Sequence, residues 1–399
     1  MTGLVIIADD LTGAADAAAP FALKTGTSVV LDAGSEWPPE QIIAVDTDSR
    51  YFSAREAAAV VEATVDRAIA SGRDSIFKKV DSLLRGNVGV EVAAVLRALA
   101  RHGRESIAIV APAFPSVGRT TIGGVVHVGG VPLERAGAPA DFVAALAEGG
   151  LRARVVRITD YADLPSLVDC VRDVRAAGFD AAVIDCATDK DLDLVARAAD
   201  ELAPSLLVGT GGLAGRLALR EPNLGTPREF VGPALDGRLL VVMGSYSATA
   251  REQLSDLVAA GVHHVRLNHA DLGSPAIGAV VRDALQTSHV VVTPDPDEPV
   301  DKSRAAEVAG AMGRLVAAAA PATRGIVICG GETGRASLRE LGVGGLSVLA
   351  EIQAGTVLHA VPGSELLLVT KSGAFGGPHA VTRVLEQLMS SDSPKQGEQ

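Results

Sequence analysis

Five segments of this chain repeat one local pattern: a short β-branched apolar run, then Gly, Ser, Thr or Asp, then an Ala/Leu/Arg-rich stretch with helical spacing. They read "LVIIADDLTGAADAA", "AAVIDCATDKDLDLVARAA", "LLVGTGGLAGRLAL", "LLVVMGSYSATAREQLSDLVAAG" and "GIVICGGETGRASLREL". A strand that is apolar at every position must be covered on both faces, and a helix after each strand supplies the cover. The chain is therefore expected to be α/β, with mainly parallel sheets flanked by helices. Open sheets of this kind take their ligands beyond the carboxyl ends of the strands. The loops there hold the candidates for function. No fixed period recurs, which argues against a solenoid.

With 399 residues, 48% of them hydrophobic, the chain can bury more than one core. The pattern breaks at "REPNLGTPREFVGPALDGR", residues 220–238, just before a strong new strand at Leu239 to Met243. A boundary near residue 235 is expected, giving domains at 1–235 and 236–390. Residues 391–399 lack any apolar anchor and read as a flexible tail. The formal charge of −12 opposes general attraction to nucleic acid or acidic membranes. Any anionic ligand must be held by local groups.

The three cysteines, Cys170, Cys186 and Cys329, are odd in number and far apart, suggesting neither a disulfide framework nor a zinc site. A reducing cytoplasm fits them. The beginning of the chain carries no basic-then-apolar leader, and no apolar run approaches the roughly 18 residues needed to span a bilayer. A soluble, unprocessed protein is expected.

In the amino-terminal half, Asp9 and Asp10 follow an apolar run directly. They could accept hydrogen bonds from substrate hydroxyls, one could be a general base, or they could help hold a cation. A helix cap needs only one of them, so the second favours function. "SIFKKVDSLLRGNVGVE" puts Lys78 and Lys79 at a strand end, followed by Asp81, Ser82 and Arg85. Strand alternation lets only one of the lysines face a given pocket, and Lys78 is placed among the substrate-binding residues. Arg85 could clamp a carboxylate with its planar fork, against the alternative of a solvated ion-pair cluster. "AVDTDSRYF" adds Asp46, Asp48, Ser49 and Arg50. "APAFPSVGRTTIGG" adds Arg119, Thr120 and Thr121, of which Thr120 is placed among the substrate contacts. Polar groups in several such loops suggest a hydroxylated, anionic small molecule.

The carboxy-terminal half has three small-residue loops. "VVMGSYSATAREQL" runs from strand to helix, with the Ser245 and Ser247 hydroxyls expected around a helix N-terminus, a natural phosphate site. Thr249 and Glu252 have capping-box spacing. "IVICGGETGRASL" offers Gly330, Gly331, Glu332 and Thr333, and "VTKSGAFGGPHAV" offers Lys371, Ser372, Gly373 and Gly376. None matches the P-loop, and no G-x-G-x-x-G stands at a first βα turn. No G-x-S-x-G elbow pairs with a His and an acid. His263, His264 and His269 read as a solvated segment rather than a metal site, and the metal ligands are left open.

Taken in order, "ADDLTGAAD", "DTDSR", "KKVDSLLRGNVGVE", "APAFPSVGRTT", "GTGGLA", "GSYSATAREQ", "GGETG" and "KSGAFG" resemble the four-carbon acid sugar kinase family across residues 3–388. The resemblance implies a sugar-acid-binding amino-terminal domain and a nucleotide-binding carboxy-terminal one, with the active site in the cleft between them. It implies transfer of the ATP γ-phosphoryl to the terminal hydroxyl of threonate, erythronate or a 3-oxo-tetronate. By resemblance, the Ser245 and Ser247 loop, Gly330 to Thr333, and Gly373 with Gly376 hold ATP. Asp9, Asp10, Arg50, Asp81 and Arg85 then line the acid pocket. Either Asp9 or Asp81 would be the base, with Mg²⁺ offsetting phosphate charge. The partners expected are the sugar acid and ATP, without nucleic acid or membrane, and a homo-oligomer is left open. The alternative from another class is a non-catalytic sugar-acid or nucleotide sensor.

Overall fold

The computed structural model describes residues 3–220, 224–226, 232–274, 276–298 and 301–390. The expected tail at 391–399 and part of the proline-rich break lie outside the described residues. The chain divides into two compact units, the first running to Gly225 and the second from Thr226, with Ala22–Lys24 grouped with the second.

The strands of the first unit are β1 (Leu4–Ala8), β2 (Thr27–Val30), β3 (Ile42–Asp46), β4 (Ser75–Lys79), β5 (Ile107–Ala111), β6 (Arg119–Ile122), β7 (Val125–Val128), β8 (Val131–Pro132), β9 (Glu134–Arg135), β10 (Ala138–Pro139), β11 (Ala153–Val156), β12 (Ala181–Ile184) and β13 (Ser205–Gly209). Its helices are α1 (Leu11–Ala22), α2 (Ala54–Ala70), α3 (Val88–Arg101), α4 (Phe142–Glu148), α5 (Leu164–Ala176), α6 (Asp189–Glu201) and α7 (Gly211–Arg220). The main sheet is parallel throughout, in the order β11-β12-β5-β13-β4-β1-β3-β2. Strands β6, β7 and β8 form a small antiparallel sheet beside it.

Every residue of β1 and β3 is buried, as their apolar runs require, and the burial extends to Asp46 at the end of β3. Val5, Ile7, Ile43 and Val45 pack with Val61 and Val65 of α2, Val92, Val95 and Leu99 of α3, and Phe142 and Leu146 of α4. Leu4, Ile6 and Ala44 point the other way and are equally enclosed. The loops after β13, β4, β1 and β3, four adjacent strands, consequently open at one edge of the sheet.

The second unit contains β14 (Leu239–Met243), β15 (His263–Leu267), β16 (Val290–Pro294), β17 (Gly325–Cys329), β18 (Gly345–Gln353), β19 (Thr356–Ala360) and β20 (Leu367–Lys371). Strands β20, β17, β14, β16 and β15 are parallel neighbours in that order, and β19 and β18 continue the sheet antiparallel beyond β20. Helices α8 (Ala248–Ala259), α9 (Ala276–Leu285), α10 (Ala305–Ala319), α11 (Gly331–Glu340) and α12 (Ala380–Met389) flank it. Leu239, Val241, Val327 and Val369 share one core with Leu257 of α8 and Val381, Val384 and Leu388 of α12. Both units carry the α/β architecture expected from the repeated local pattern.

His359 on β19 is fully buried, with Nε2 2.8 Å from Thr370 Oγ1 and Nδ1 without a hydrogen-bond partner. Burial pushes its imidazole from the ordinary 6.5 down to about 3. The unfolded chain therefore binds a proton that the folded chain refuses, so stability is complete above pH 6.5 and is lost as the pH falls towards 3. His359→Gln is expected to remove about 2 kcal/mol of the stability difference between pH 7.5 and pH 5. Urea unfolding of both proteins at the two pH values measures it.

Candidate functional site

Carboxylates and guanidinium groups from the loops after β1, β3 and β4 meet in one cluster. Arg50 donates from Nε to Asp9 Oδ2 at 2.8 Å and from Nη2 to Asp9 Oδ1 at 2.9 Å. Its Nη2 also lies 2.9 Å from Asp10 Oδ1 and 3.5 Å from Asp81 Oδ1. Asp10 has a second task as the cap of α1, accepting from Gly13 N–H at 3.0 Å and from Thr12 Oγ1 at 2.7 Å. The adjacent acids therefore divide the work between helix start and cluster.

Asp81 is surrounded by donors. It accepts from the backbone N–H groups of Leu83 and Arg85, each at 3.1 Å, and from Arg85 Nε and Nη2 at 2.9 and 2.6 Å. Burial alone would raise its carboxyl, but Arg85, Arg50 and Lys79 hold it well below the usual carboxylate range. Asp9 behaves oppositely, because burial pushes it up to about 6 against the pull of Arg50, with Asp10 and Glu91 adding to the rise. Of the two expected base candidates, Asp9 is thus the one near neutral pH, while Asp81 organises its turn and Arg85.

The lysines separate as alternation demands. Lys78 pairs with Ile7 in the parallel register and turns towards α3, where its Nζ lies 2.7 Å from Glu91 Oε2. It also donates to the carbonyls of Ile7 and Lys79, and none of it is exposed. The expectation of a substrate contact at Lys78 is corrected: its ammonium is committed to the core. Lys79 faces the other way, and its charge acts on Asp81 and Asp16.

On β6 the same rule favours Arg119 over Thr120. Arg119 is 6% exposed, and its Nη1 donates to Ser82 Oγ, with Asp81, Arg85 and Asp16 near enough to shift its charge. Thr120 sits between Arg119 and the buried Thr121, so its side chain takes the opposite face, and no described hydrogen bond joins it to the cluster. Lys79 and Arg119 stand in the loops that residue patterns marked but were passed over there for Lys78 and Thr120, and Asp16 is the member those patterns did not single out. Asp16 lies inside the quoted "DDLTGAAD" but reads there as one helical position among alanines.

In the second unit, three loops converge. Ser247, with extended backbone at φ −64° and ψ 155°, caps α8 by accepting from Ala250 N–H at 3.1 Å. The expected capping box at Thr249 and Glu252 is corrected, since Thr249 is already helical and the cap stands two residues earlier. Ser247 Oγ donates to Gly373 O at 3.0 Å, and Ser245 Oγ donates to Ser247 Oγ at 3.2 Å. Gly330 precedes α11 at φ +114°, a conformation suited to glycine, and its N–H bonds Lys371 O at 2.9 Å. Gly331 and Thr333 follow in the first turn of α11, with Glu332 exposed beside them. Gln253, which sequence patterns did not mark, ties down the third loop by donating to the carbonyls of Phe375, Gly376 and Gly377. Two helix N-termini, α8 and α11, thus stand with their loops joined through Gly373 and Lys371, an arrangement suited to phosphate groups.

A Cβ added at Gly244 would stand 1.9 Å from Thr333 Oγ1. Gly244→Ala must displace either its own loop or the buried Thr333 side chain. It is expected to cost about 1–3 kcal/mol of stability and to weaken ADP binding about tenfold or more, read by calorimetric titration.

Among the described residues no group of three His, Cys, Asp or Glu side chains is arranged to hold a metal ion. His264 Nε2 lies 2.8 Å from Thr293 Oγ1 and His269 pairs with Glu298, so these two histidines of that segment serve separate neighbours. No helix is long and apolar enough to cross a membrane among the described residues.

Comparison with known proteins matches residues 4–217 to the family model of a sugar-binding N-terminal domain and residues 240–381 to that of a nucleotide-binding C-terminal domain. The chain is 34% identical to the D-threonate kinase of Cupriavidus necator, over 98% of this chain and 99% of that protein. It is 29% identical to the 3-oxo-tetronate kinase of Pseudomonas savastanoi pv. phaseolicola, over 96% of each. A crystal structure of a Salmonella typhimurium protein shares the fold, with a TM-score of 0.78 at 20% identity, covering 96% of this chain and 98% of that one. Two matched domains in the order that the loops imply, and a near full-length kinase relative, place this chain in the four-carbon acid sugar kinase family, as a carbohydrate kinase.

Proposed function

We propose that the protein transfers the γ-phosphoryl of ATP to the terminal hydroxyl of a four-carbon sugar acid, and that D-threonate is its preferred acceptor. The observation that carries the reading is the cluster of Asp9, Asp10, Arg50, Asp81, Arg85 and Lys79 at the ends of adjacent strands. A small polyol acid needs that mixture, because carboxylates accept from hydroxyls and cations hold the acid group. The choice of D-threonate rests on 34% identity to a D-threonate kinase against 29% to a 3-oxo-tetronate kinase.

Asp9 is the general base. With its carboxyl near 6 it is ionised at neutral pH yet basic enough to take a hydroxyl proton as the bond to phosphorus forms. Arg50 fixes its orientation through two parallel hydrogen bonds. Asp81 holds Arg85 in place through its own bidentate pair. On the nucleotide side, the loops of Ser245 and Ser247, of Gly330, Gly331 and Thr333, and of Gly373 and Gly376 frame the N-termini of α8 and α11, which take the phosphates. Glu332 sits at the rim, its carboxylate exposed to solvent. Lys371, buried beneath the third loop, adds positive charge, although burial lowers its ammonium below the ordinary value.

ATP supplies the phosphoryl group, and Mg²⁺ supplies charge neutralisation on its phosphates. Mg²⁺ commonly keeps several waters and is held by nucleotide phosphates with one or two carboxylates, so a dedicated protein cage is not required. ADP release measured with D- and L-threonate, D- and L-erythronate and their 3-oxo forms tests the reading. Fastest turnover with D-threonate is expected. ADP formation with none of the acids, while ATP binds, would overturn it in favour of a sensor.

A further inference from the structure

The cluster contains a fourth carboxylate whose surroundings differ from the other three. Asp9 is held by Arg50, Asp10 by Thr12, Gly13 and Arg50, and Asp81 by Arg85 and two backbone N–H groups. Asp16, in the second turn of α1, is 7% exposed, and its Oδ1 has no hydrogen-bond partner. Its carboxylate lies against the first residue of α7, where a Cβ added at Gly211 would stand 2.2 Å from Oδ2. Lys79, Asp10 and Arg119 are the charged groups close enough to act on it.

A buried carboxylate oxygen with no donor is costly in a folded chain. Hydrogen bonds and ion pairs from the protein satisfy the neighbouring carboxylates, and none of them reaches Oδ1. A ligand hydroxyl pointed into the cluster would supply the missing donor, and an ionised carboxylate can only accept. The same negative charge repels the carboxylate of an acid substrate from this position, so the group that fits is a hydroxyl.

We propose that Asp16 binds a hydroxyl of the sugar acid that is not the one phosphorylated, and that this bond orients the acid in the pocket. The assignment rests on the sugar-acid kinase reading and adds a residue to it. Asp16 is a substrate-positioning group, distinct from the base at Asp9.

The test pairs a variant with a substrate lacking one hydroxyl. Asp16→Ala in the full chain, in a helix already rich in alanine, removes the acceptor together with a buried negative charge that Lys79 and Arg119 partly offset. Steady-state constants are measured with threonate, with 3,4-dihydroxybutanoate, which lacks the 2-hydroxyl, and with 2,4-dihydroxybutanoate, which lacks the 3-hydroxyl. For Asp16→Ala the kcat/KM with threonate is expected to fall about 10- to 100-fold, while the KM for ATP stays within twofold. One deoxy acid should lose the same factor with the parent protein and no further factor with the variant; the other should lose equally in both. Asp16→Asn, which keeps the size and a carbonyl acceptor, should fall between them, and it carries the test if the alanine variant does not fold. Unchanged kcat/KM with threonate, or additive losses for both deoxy acids, would overturn the assignment alone. A parent protein that phosphorylates none of the acids would overturn the kinase reading and this assignment with it.

Discussion

Asp9→Asn is expected to lower kcat about 10²- to 10⁴-fold while the affinity for ADP stays within twofold. The amide keeps the shape of the side chain and one acceptor for Arg50, but it cannot take a proton. Its partner contacts at 2.8 and 2.9 Å are lost only in part, so the cluster should keep its form. In the parent protein the base must be ionised. With the carboxyl near 6, kcat should fall as the pH drops below about 6, and in Asp9→Asn that acid limb should vanish from the residual activity. Rapid-quench turnover at pH 5 to 8 for both proteins makes the comparison. An acid limb unchanged in the variant would assign the base elsewhere. Asp81→Asn should differ in kind, because Asp81 anchors two backbone N–H groups and Arg85. Its loss of activity should come with a loss of stability.

Glu91→Leu is expected to destabilise the first unit by about 3–5 kcal/mol, because it strands a buried ammonium. Lys78 is entirely enclosed, and its only carboxylate among the described ion pairs is Glu91 at 2.7 Å. Ser49 Oγ also donates to Glu91 Oε1 at 2.6 Å, so the loop that presents Arg50 shares the damage. Replacing both charges, as Lys78→Met with Glu91→Leu, should recover most of the loss, since buried pairs exchange for apolar groups at little net cost. Urea unfolding of the two single variants and the double variant gives the coupling directly. A double variant no more stable than Glu91→Leu would show that Glu91 acts through Ser49 rather than through Lys78.

Local sequence determined the fold class and the position of the candidate loops. Five-residue apolar runs followed by helical spacing specify βα units by short-range periodicity, and a strand buried on both faces specifies a parallel sheet. The same reading marked Asp9, Asp10, Arg50, Asp81 and Arg85, which do gather at one sheet edge. It also marked the three loops of the second unit joined through Ser247, Gly373 and Lys371.

Only the tertiary structure decided how these groups divide their tasks. Alternation says that Lys78 and Lys79 face opposite ways, but which of them meets Glu91 depends on α3 crossing one face of the sheet and α1 the other. Nothing local distinguishes Asp81, spent on Arg85, from Asp9, raised by burial, because both stand in the loop just after a strand. Asp16 looks like an ordinary helical residue until α7 is laid against it at Gly211, 195 positions along the chain. Burial, pairing and charge in this cluster arise between residues distant in sequence, and the adjacency of β13, β4, β1 and β3 brings them together.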